Sequence, residues 1–384
     1  MPKIRYQKIT IRDADKLDAI EKANVLIESY QSQGYMLTLR QLYYRFVAGD
    51  LFPASRKWSK IPGTDKWVRD PNGTINAEPN YKWLGDVVSD ARMGGFMDWE
   101  AIEDRTREVD EVPHWETPAA ILSACHNSFR VDKWLTQRNR IEVWVEKDAV
   151  EGIAKQAAHA HDVPIFSCRG YSSLSSLWES ANRLKKHIKN RQRVVILHLG
   201  DHDPSGIDMS RDIEDRLNTF IHTDLLHETM EDIKDSGLTF RDDKGKVKVD
   251  MVCARAEDLF GIPAGRFLEG KMIEVRRIAL TMEQVEQYNP PPNPAKTTDA
   301  RYKKYQEEHG DESWELDALE PSVLDQLIQD SIEGIKDADL YADREELENK
   351  HRKNLKICCD NWDNGLAEVV ANYKPKPAKK GKKK

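Results

Sequence analysis

The sequence predicts a mixed α/β protein with an open sheet at its centre, helices and a hairpin before it, and a mostly helical extension after it. Three observations carry this. Residues 39–48 place Leu39, Leu42, Tyr43, Phe46 and Val47 on one helical stripe. Residues 141–145 and 193–199, Ile-Glu-Val-Trp-Val and Arg-Val-Val-Ile-Leu-His-Leu, read as strands with helical stretches between them, the pattern of an open α/β sheet. Beyond residue 320, stretches 323–337 and 343–372 look helical.

In chain order, residues 15–32 read as a helix with Leu17, Ile20, Ala23 and Ile27 on one face and Gly34 past its end. Thr38 suits the cap of helix 39–48. Asp70-Pro71-Asn72-Gly73, between Trp67-Val68 and Thr74-Ile75, suggests a hairpin. A helix over 81–93 carries Leu84, Val87, Val88 and Ala91 and stops at Gly94-Gly95. Helix 148–159, strand 164–168, a helix capped by Ser172 or Ser173 and running to about 190, strand 193–199 and a helix from near Gly206 to Phe220 follow. Val247–Cys253 reads as a short strand, and Thr281 to Gln284 as a capping box opening a helix to Gln287. Pro290-Pro291-Pro292 then interrupts regular structure.

The 384 residues suffice for two or three domains with ample core. Charged residues at 33% and hydrophobic ones at 39% fit a soluble globular protein rather than a membrane or disordered one. No stretch reaches membrane-span length and MPKIRYQKIT has no signal-peptide core, so a cytoplasmic location is expected. Five cysteines without a C-x-x-C pair are expected to be reduced thiols. The net charge of −7 does not advertise a nucleic-acid binder. The terminal KPKPAKKGKKK carries seven lysines, without which the balance would be twice as negative. Any DNA-binding surface must therefore be local.

Glu146 stands at the carboxyl end of the first central strand, Asp201 and Asp203 just past the 193–199 strand. Ligands of open α/β sheets bind outside the carboxyl ends of strands. If the two strands are neighbours, three carboxylates converge, and such a site wants a hard divalent cation, with Mg²⁺ the most available. Asp201 and Asp203 alone would equally suit a surface loop with Asp203 as a helix cap. Glu146 at the equivalent end of a second strand tips that balance.

Glu-Lys-Asp-Ala-Val at 146–150, Arg-Gly-Tyr at 169–171 and Asp-His-Asp-Pro-Ser-Gly at 201–206 resemble the three motifs of a Toprim domain. The form is similar to the DNA topoisomerase VI A subunit and its relative, the meiotic double-strand-break protein, over residues 140–215. The resemblance implies Mg²⁺, with Mn²⁺ as a substitute, held by Glu146, Asp201 and Asp203. It also implies a preceding winged-helix domain with a nucleophilic tyrosine in R-x-x-Y-Y. Arg40-Gln41-Leu42-Tyr43-Tyr44 matches, which carries the role to Tyr44. Helix geometry offers a separate argument: Tyr43 lies in the apolar stripe, whereas Tyr44 lies about 130° from its centre, on an exposed flank beside Arg40 at i−4. An ordinary amphipathic surface tyrosine would look the same without the other motifs.

The organisation implied is a winged-helix-like domain at 1–110, a linker at 111–139, a Toprim-like domain at 140–275, a helical extension at 276–372 and a lysine-rich disordered tail at 373–384. Arg277 to Tyr288 with the proline run resembles the family's segment after the metal motifs. The expected activity is Mg²⁺-dependent DNA cleavage, either as a topoisomerase (an isomerase) or as an endonuclease. Tyr44 and Arg40 would be catalytic together with Glu146. Arg40, Lys147, Arg169 and Gly170 would contact double-stranded DNA. A homodimer is implied, Tyr44 of one protomer meeting the metal site of the other, with the protein associated with the nucleoid when on DNA. The chain shows no Walker-A-like pattern, so strand passage would need a separate ATPase subunit. A hydrolytic Toprim nuclease and a catalytically silent DNA-binding or assembly subunit are the alternatives. His159 and His161 suit a helix end, and His198 a satisfied core position. His202 is expected to point away from the aspartates. Asp148 reads as a helix cap or a neighbour of the site, and Cys358-Cys359 as packed in a helix.

Overall fold

The computed structural model describes residues 5–62, 64, 66–99, 102, 112–168, 170 and 172–373. The chain divides into two compact units. One comprises Met1–Glu108 with Arg138–Ile335, the other Val109–Gln137 with Lys336–Lys384.

Helix α1 (Ala14–Ser32) starts at Asp13, whose carboxylate accepts from the Asp15 and Lys16 amides, and it buries Ala19, Ile20, Ala23, Ile27 and Tyr30. Leu17, expected on that face, is exposed. Helix α2 (Leu39–Ala48) opens with a complete capping box between Thr38 and Gln41. It is buried nearly all round, Gln41, Tyr44 and Arg45 included, so its environment is wider than one stripe. The hairpin differs from expectation: β1 (Trp58–Lys60) pairs antiparallel with β2 (Trp67–Arg69). The Asp70–Gly73 turn instead returns the chain to a single bridge between Thr74 and Trp58. A side chain at Gly73 would meet the Trp58 carbonyl oxygen at 2.2 Å, so only glycine permits this approach. Helix α3 (Glu78–Gly94) ends at Gly95 in the left-handed region. In the second unit comes α4 (Pro118–Ser128), within the stretch read as linker.

The centre follows the predicted alternation: β3 (Asn139–Val145), α5 (Asp148–Ala160), β4 (Ile165–Ser167), α6 (Leu174–Lys189), β5 (Arg193–Leu199) and α7 (Pro204–Asp235). Helix α7 continues well past Phe220. Met209, Ile213, Leu217, Ile221, Leu225, Thr229 and Ile233 are buried at every fourth position, a stripe that the charged residues between them disguise. Of the expected strand 247–253, only Val247 makes a β-bridge, to Arg241, and the residues from Val249 on belong to α8 (Val249–Phe260). Its buried Val252, Cys253, Ala256 and Phe260 recur at helical spacing, although Val247, Val249 and Met251 alternate like a strand. After α9 (Ala264–Leu268), β6 (Ile273–Ala279) completes an all-parallel sheet of order β4-β3-β5-β6. Trp144, Val194 and Ile196 face a core shared with α6, α7 and α8. The alternating Val143, Val145, Val195 and Leu197 are buried on the opposite face, where α5 and α12 (below) pack.

Helix α10 (Met282–Tyr288) has the predicted Thr281–Gln284 capping box. Strand β7 (Asn293–Pro294), α11 (Tyr302–His309) and β8 (Glu312–Ser313) follow, β7 and β8 pairing antiparallel. A 3-10 turn at Leu316–Ala318 leads into α12 (Pro321–Glu333). In the second unit, α13 (Ala338–Asp360) packs on α4, and the Glu348 carboxylate accepts from the Val131 amide. The helix expected to run unbroken to 372 is interrupted at Asn364 and Gly365, where the backbone leaves helical geometry, before α14 (Ala367–Ala371).

Candidate metal centre

Strands β3 and β5 are hydrogen-bonded neighbours with Val145 opposite Leu199, so the residues after them emerge side by side. The Asp201 amide donates to Glu146 Oε2 at 2.9 Å, and the Glu146 amide to the Leu199 carbonyl at 2.9 Å. Asp203 caps α7, its Oδ1 accepting from the Gly206 amide at 2.6 Å. Gly206 must lack a side chain, since a Cβ there would lie 2.3 Å from the Asp201 carbonyl oxygen and 3.1 Å from Glu146 Oε2. Gly206→Ala is therefore expected to displace the 201–206 loop and cost about 1–3 kcal/mol, read as a lower urea midpoint.

Two further elements close the site. From β6, Arg277 reaches the carbonyls of Gly200, Asp201, Gly206 and Leu280, with Nη1 at 2.8 Å from Gly206 O and Nη2 at 2.8 Å from Gly200 O. The 312–318 segment is clamped to the same loop. His202 and Trp314 exchange backbone hydrogen bonds, and the Leu316 amide donates to Asp201 Oδ1 at 2.8 Å. This brings in Glu315 and Asp317. Oxygens of Asp201, Glu315 and Asp317 all lie within 4.8 Å of one another, and this acidic trio can hold a metal ion. Among the described residues it is the set gathered this closely. Glu146 adjoins it through the Asp201 amide, and Asp203 has one oxygen engaged as a helix cap. Glu315 and Asp317 had only a faint sequence signal, an acidic pair at alternating positions in Trp-Glu-Leu-Asp-Ala-Leu.

Three cations share the cluster. Lys147 Nζ lies 2.8 Å from Asp201 Oδ2 and 3.4 Å from Asp317 Oδ1, and it also pairs with Glu315. Arg40 approaches from α2, with Nη2 2.8 Å from Glu315 Oε2 and Nε 2.8 Å from Asp317 Oδ2. Arg277 supplies the third. Five carboxyl groups (Glu146, Asp201, Asp203, Glu315 and Asp317) are thus set against the side chains of Lys147, Arg40 and Arg277. The crowding of these groups shows at Glu146. Burial, then the Asp201 and Asp203 charges, push its carboxyl up to about 7, although the Asp201 amide and Lys147 pull back. The donor set is all oxygen and carboxylate-rich, which selects a hard cation.

Tyr44 is not on an exposed flank. It is 4% exposed, because the 316–320 segment packs over the side of α2 that the stripe leaves open, with Arg45 bound to Glu320 and to the Ala318 carbonyl. The Arg40 guanidinium lies 5.8 Å from the centre of the Tyr44 ring. Arg40 and Asn293 hydrogen-bond its hydroxyl. Burial, aided by the Asp317 charge, pushes the phenol up to about 12, with Arg40 opposing. Tyr43 is core, its hydroxyl donating to Asn76 Oδ1 at 2.9 Å. The structure thus brings Arg40, Tyr44, Lys147 and the acidic cluster together within one chain. Gly170, at φ 83°, donates its amide to the Glu146 carbonyl at 3.1 Å. Arg169 and the residues after 373 lie outside the described residues.

His159, His161, His198 and His202 lie in different surroundings. His159 is exposed near the end of α5. The ring of His161 lies 3.3 Å from Glu333. His202 is buried against Tyr305, His309 and Trp314, where it helps lock the 312–318 segment in place. His198 is fully buried, with Nδ1 2.8 Å from Ser210 Oγ, and burial lowers it to about 3. It stays neutral in the folded protein while its unfolded counterpart takes up a proton below about pH 6.5, so stability falls as pH drops from there toward 3. His198→Gln is expected to flatten that slope by at most about 1.4 kcal/mol per pH unit, measured by urea unfolding across the acid range. Asp148 begins α5 with Lys147 in the cap position, and it accepts a hydrogen bond from Ser167. The five cysteines are free thiols, with Cys358 exposed on α13.

No family model, no curated protein and no solved structure matches this chain. No helix among the described residues is long and apolar enough to cross a membrane.

Proposed function

We propose that the chain cleaves DNA strands with a divalent cation, Mg²⁺ or in its place Mn²⁺, using Tyr44 as nucleophile. In this reading its first residues form a winged-helix-like module and its sheet a Toprim-like domain, as in the topoisomerase VI A subunit. The observation that carries the proposal is Arg40. One guanidinium lies against the Tyr44 ring and also pairs with Glu315 and Asp317, linking nucleophile and metal site in a single constellation.

Asp201, Glu315 and Asp317 would hold the cation, with Glu146 beside them. When bound, the cation would polarise the scissile phosphate and stabilise the departing oxygen. Arg40 and Lys147 supply the positive charge that binds the phosphate and orients it toward Tyr44. The Tyr44 hydroxyl would lose its proton and bond to phosphorus as the phosphorus–sugar oxygen bond breaks, the departing oxygen taking up a proton. The resulting phosphotyrosine conserves the bond energy for resealing. Arg40 lowers the cost of the phenolate by its charge. Double-stranded DNA is the proposed substrate, in the cytoplasm, with a homodimer and a separate ATPase subunit as partners for any topoisomerase activity. A second reading, plain hydrolysis, is favoured by the burial of Tyr44.

Supercoiled plasmid incubated with the protein and Mg²⁺ or Mn²⁺, alone and with a candidate ATPase, then treated with detergent with and without protease, separates the two. Protein-linked ends that disappear in Tyr44→Phe are expected. Free ends that survive Tyr44→Phe would establish hydrolysis instead.

A further inference from the structure

The carboxylates that would hold the cation are already occupied by side-chain cations. Lys147 Nζ contacts Asp201, Glu315 and Asp317 at once, which places an ammonium among the same three groups a metal would need. A divalent ion binds carboxylate oxygens at about 2.0–2.6 Å, so it and the ammonium cannot share that space. Two like charges this close repel strongly, most of all where water is excluded. Arg40 shares Glu315 Oε2 with Lys147 and takes the second carboxylate oxygen of Asp317. Lys147 is largely shielded from solvent, whereas the Arg40 side chain is 44% exposed, so an incoming group reaches Arg40 first.

We propose that Lys147 and Arg40 form a latch that a DNA phosphate releases, making tight binding of the cation conditional on substrate. This rests on the proposed metal-dependent cleavage. A phosphodiester offers two free anionic oxygens, suited to the planar fork of Arg40 and to the point charge of Lys147. Drawing both cations onto the phosphate bares Asp201, Glu315 and Asp317 at the moment the substrate arrives. Lys147 is thereby a positioning residue as well as a phosphate contact. The linkage is reciprocal: whatever factor DNA adds to cation affinity, the cation adds to DNA affinity.

The test is the binding of Mn²⁺ to the full chain, followed by the electron paramagnetic resonance of the free ion. It is run with and without a short duplex carrying a non-cleavable phosphate linkage. The same titrations with Asp201→Asn subtract Mn²⁺ held by the duplex itself. The duplex is expected to tighten Mn²⁺ binding by the wild type about tenfold or more, within the ordinary range of coupling between sites. Lys147→Met and Lys147→Gln are both expected to bind Mn²⁺ more tightly than the wild type without DNA and to lose most of the duplex effect. The pair guards against one variant folding poorly, which unfolding curves of each reveal. Equal wild-type affinities with and without duplex overturn the latch while leaving the cation site standing. So does a Lys147 variant that folds but binds no more tightly. Absence of Mn²⁺ binding by the wild type and both variants under all conditions overturns the metal-dependent reading, and the latch with it.

Discussion

Asp201→Asn is expected to reduce metal-dependent strand cleavage by about three orders of magnitude, since a bound cation supplies several kcal/mol of transition-state stabilisation. The substitution keeps the size of the side chain and an oxygen for the Leu316 amide, so the fold is expected to survive, which thermal unfolding checks. Only the charge at the centre of the cluster is lost. Companion variants identify the ligands. If the cation sits among the trio the structure gathers, Glu315→Gln and Asp317→Asn fall nearly as far. Asp203→Asn then falls much less, because an amide oxygen still caps α7. The reverse ranking, with Asp203→Asn severe and Glu315→Gln mild, would place the cation among Glu146, Asp201 and Asp203 instead. Plasmid cleavage rates for the four variants at matched Mg²⁺ give the answer.

Arg277→Met is expected to be the most destabilising single change at the site, by about 3–5 kcal/mol. The side chain is half-buried, and its hydrogen bonds reach four backbone carbonyls of the loops at Gly200–Gly206 and Leu280. Removal takes one donor from each of those carbonyls, although the Gly200 oxygen keeps the Leu280 amide, and strips the countercharge from Glu146, Asp201 and Asp203. Arg277→Lys restores charge but not the fork, so it should recover only part of the loss. Urea unfolding of the three proteins measures this. A cost below about 1 kcal/mol for Arg277→Met would show that water replaces these bonds readily.

What the sequence disclosed, and what it hid, follows from the range over which each feature is decided. Thr281 and Gln284 form their capping box within four residues, and Arg193–Leu199 is apolar enough to declare itself a buried strand; both were readable. Glu146 and Asp201 were legible as a pair because the carboxyl ends of neighbouring parallel strands meet by rule. The burial of Tyr44 was not. A helical wheel describes one helix, and Asn293, Asp317 and Ala318, which surround Tyr44, come from far along the chain. Glu315 and Asp317 were hidden for the same reason. They stand in an irregular stretch, and only the Trp314–His202 bridge and the Leu316–Asp201 contact bring them to the strand ends. The α8 helix was misread because Val247, Val249 and Met251 happen to alternate, while the residues that are buried follow the helical period.

The junction between the 312–318 segment and the rest of the centre has a consequence in time as well as in space. Leu316 meets Asp201 across 115 residues of chain, and Glu315 meets Arg40 across 275. Contacts of such separation form late, after the cost of closing long loops has been met. During synthesis, no ribosome-bound chain shorter than about 317 residues can present the three carboxylates together, because Asp317 has not yet been added. A truncated or half-folded product would therefore carry the strand-end pair without a finished centre. An ion held by the completed cluster would tie the early and late parts of the chain to each other, adding its binding free energy to the stability of the folded form alone.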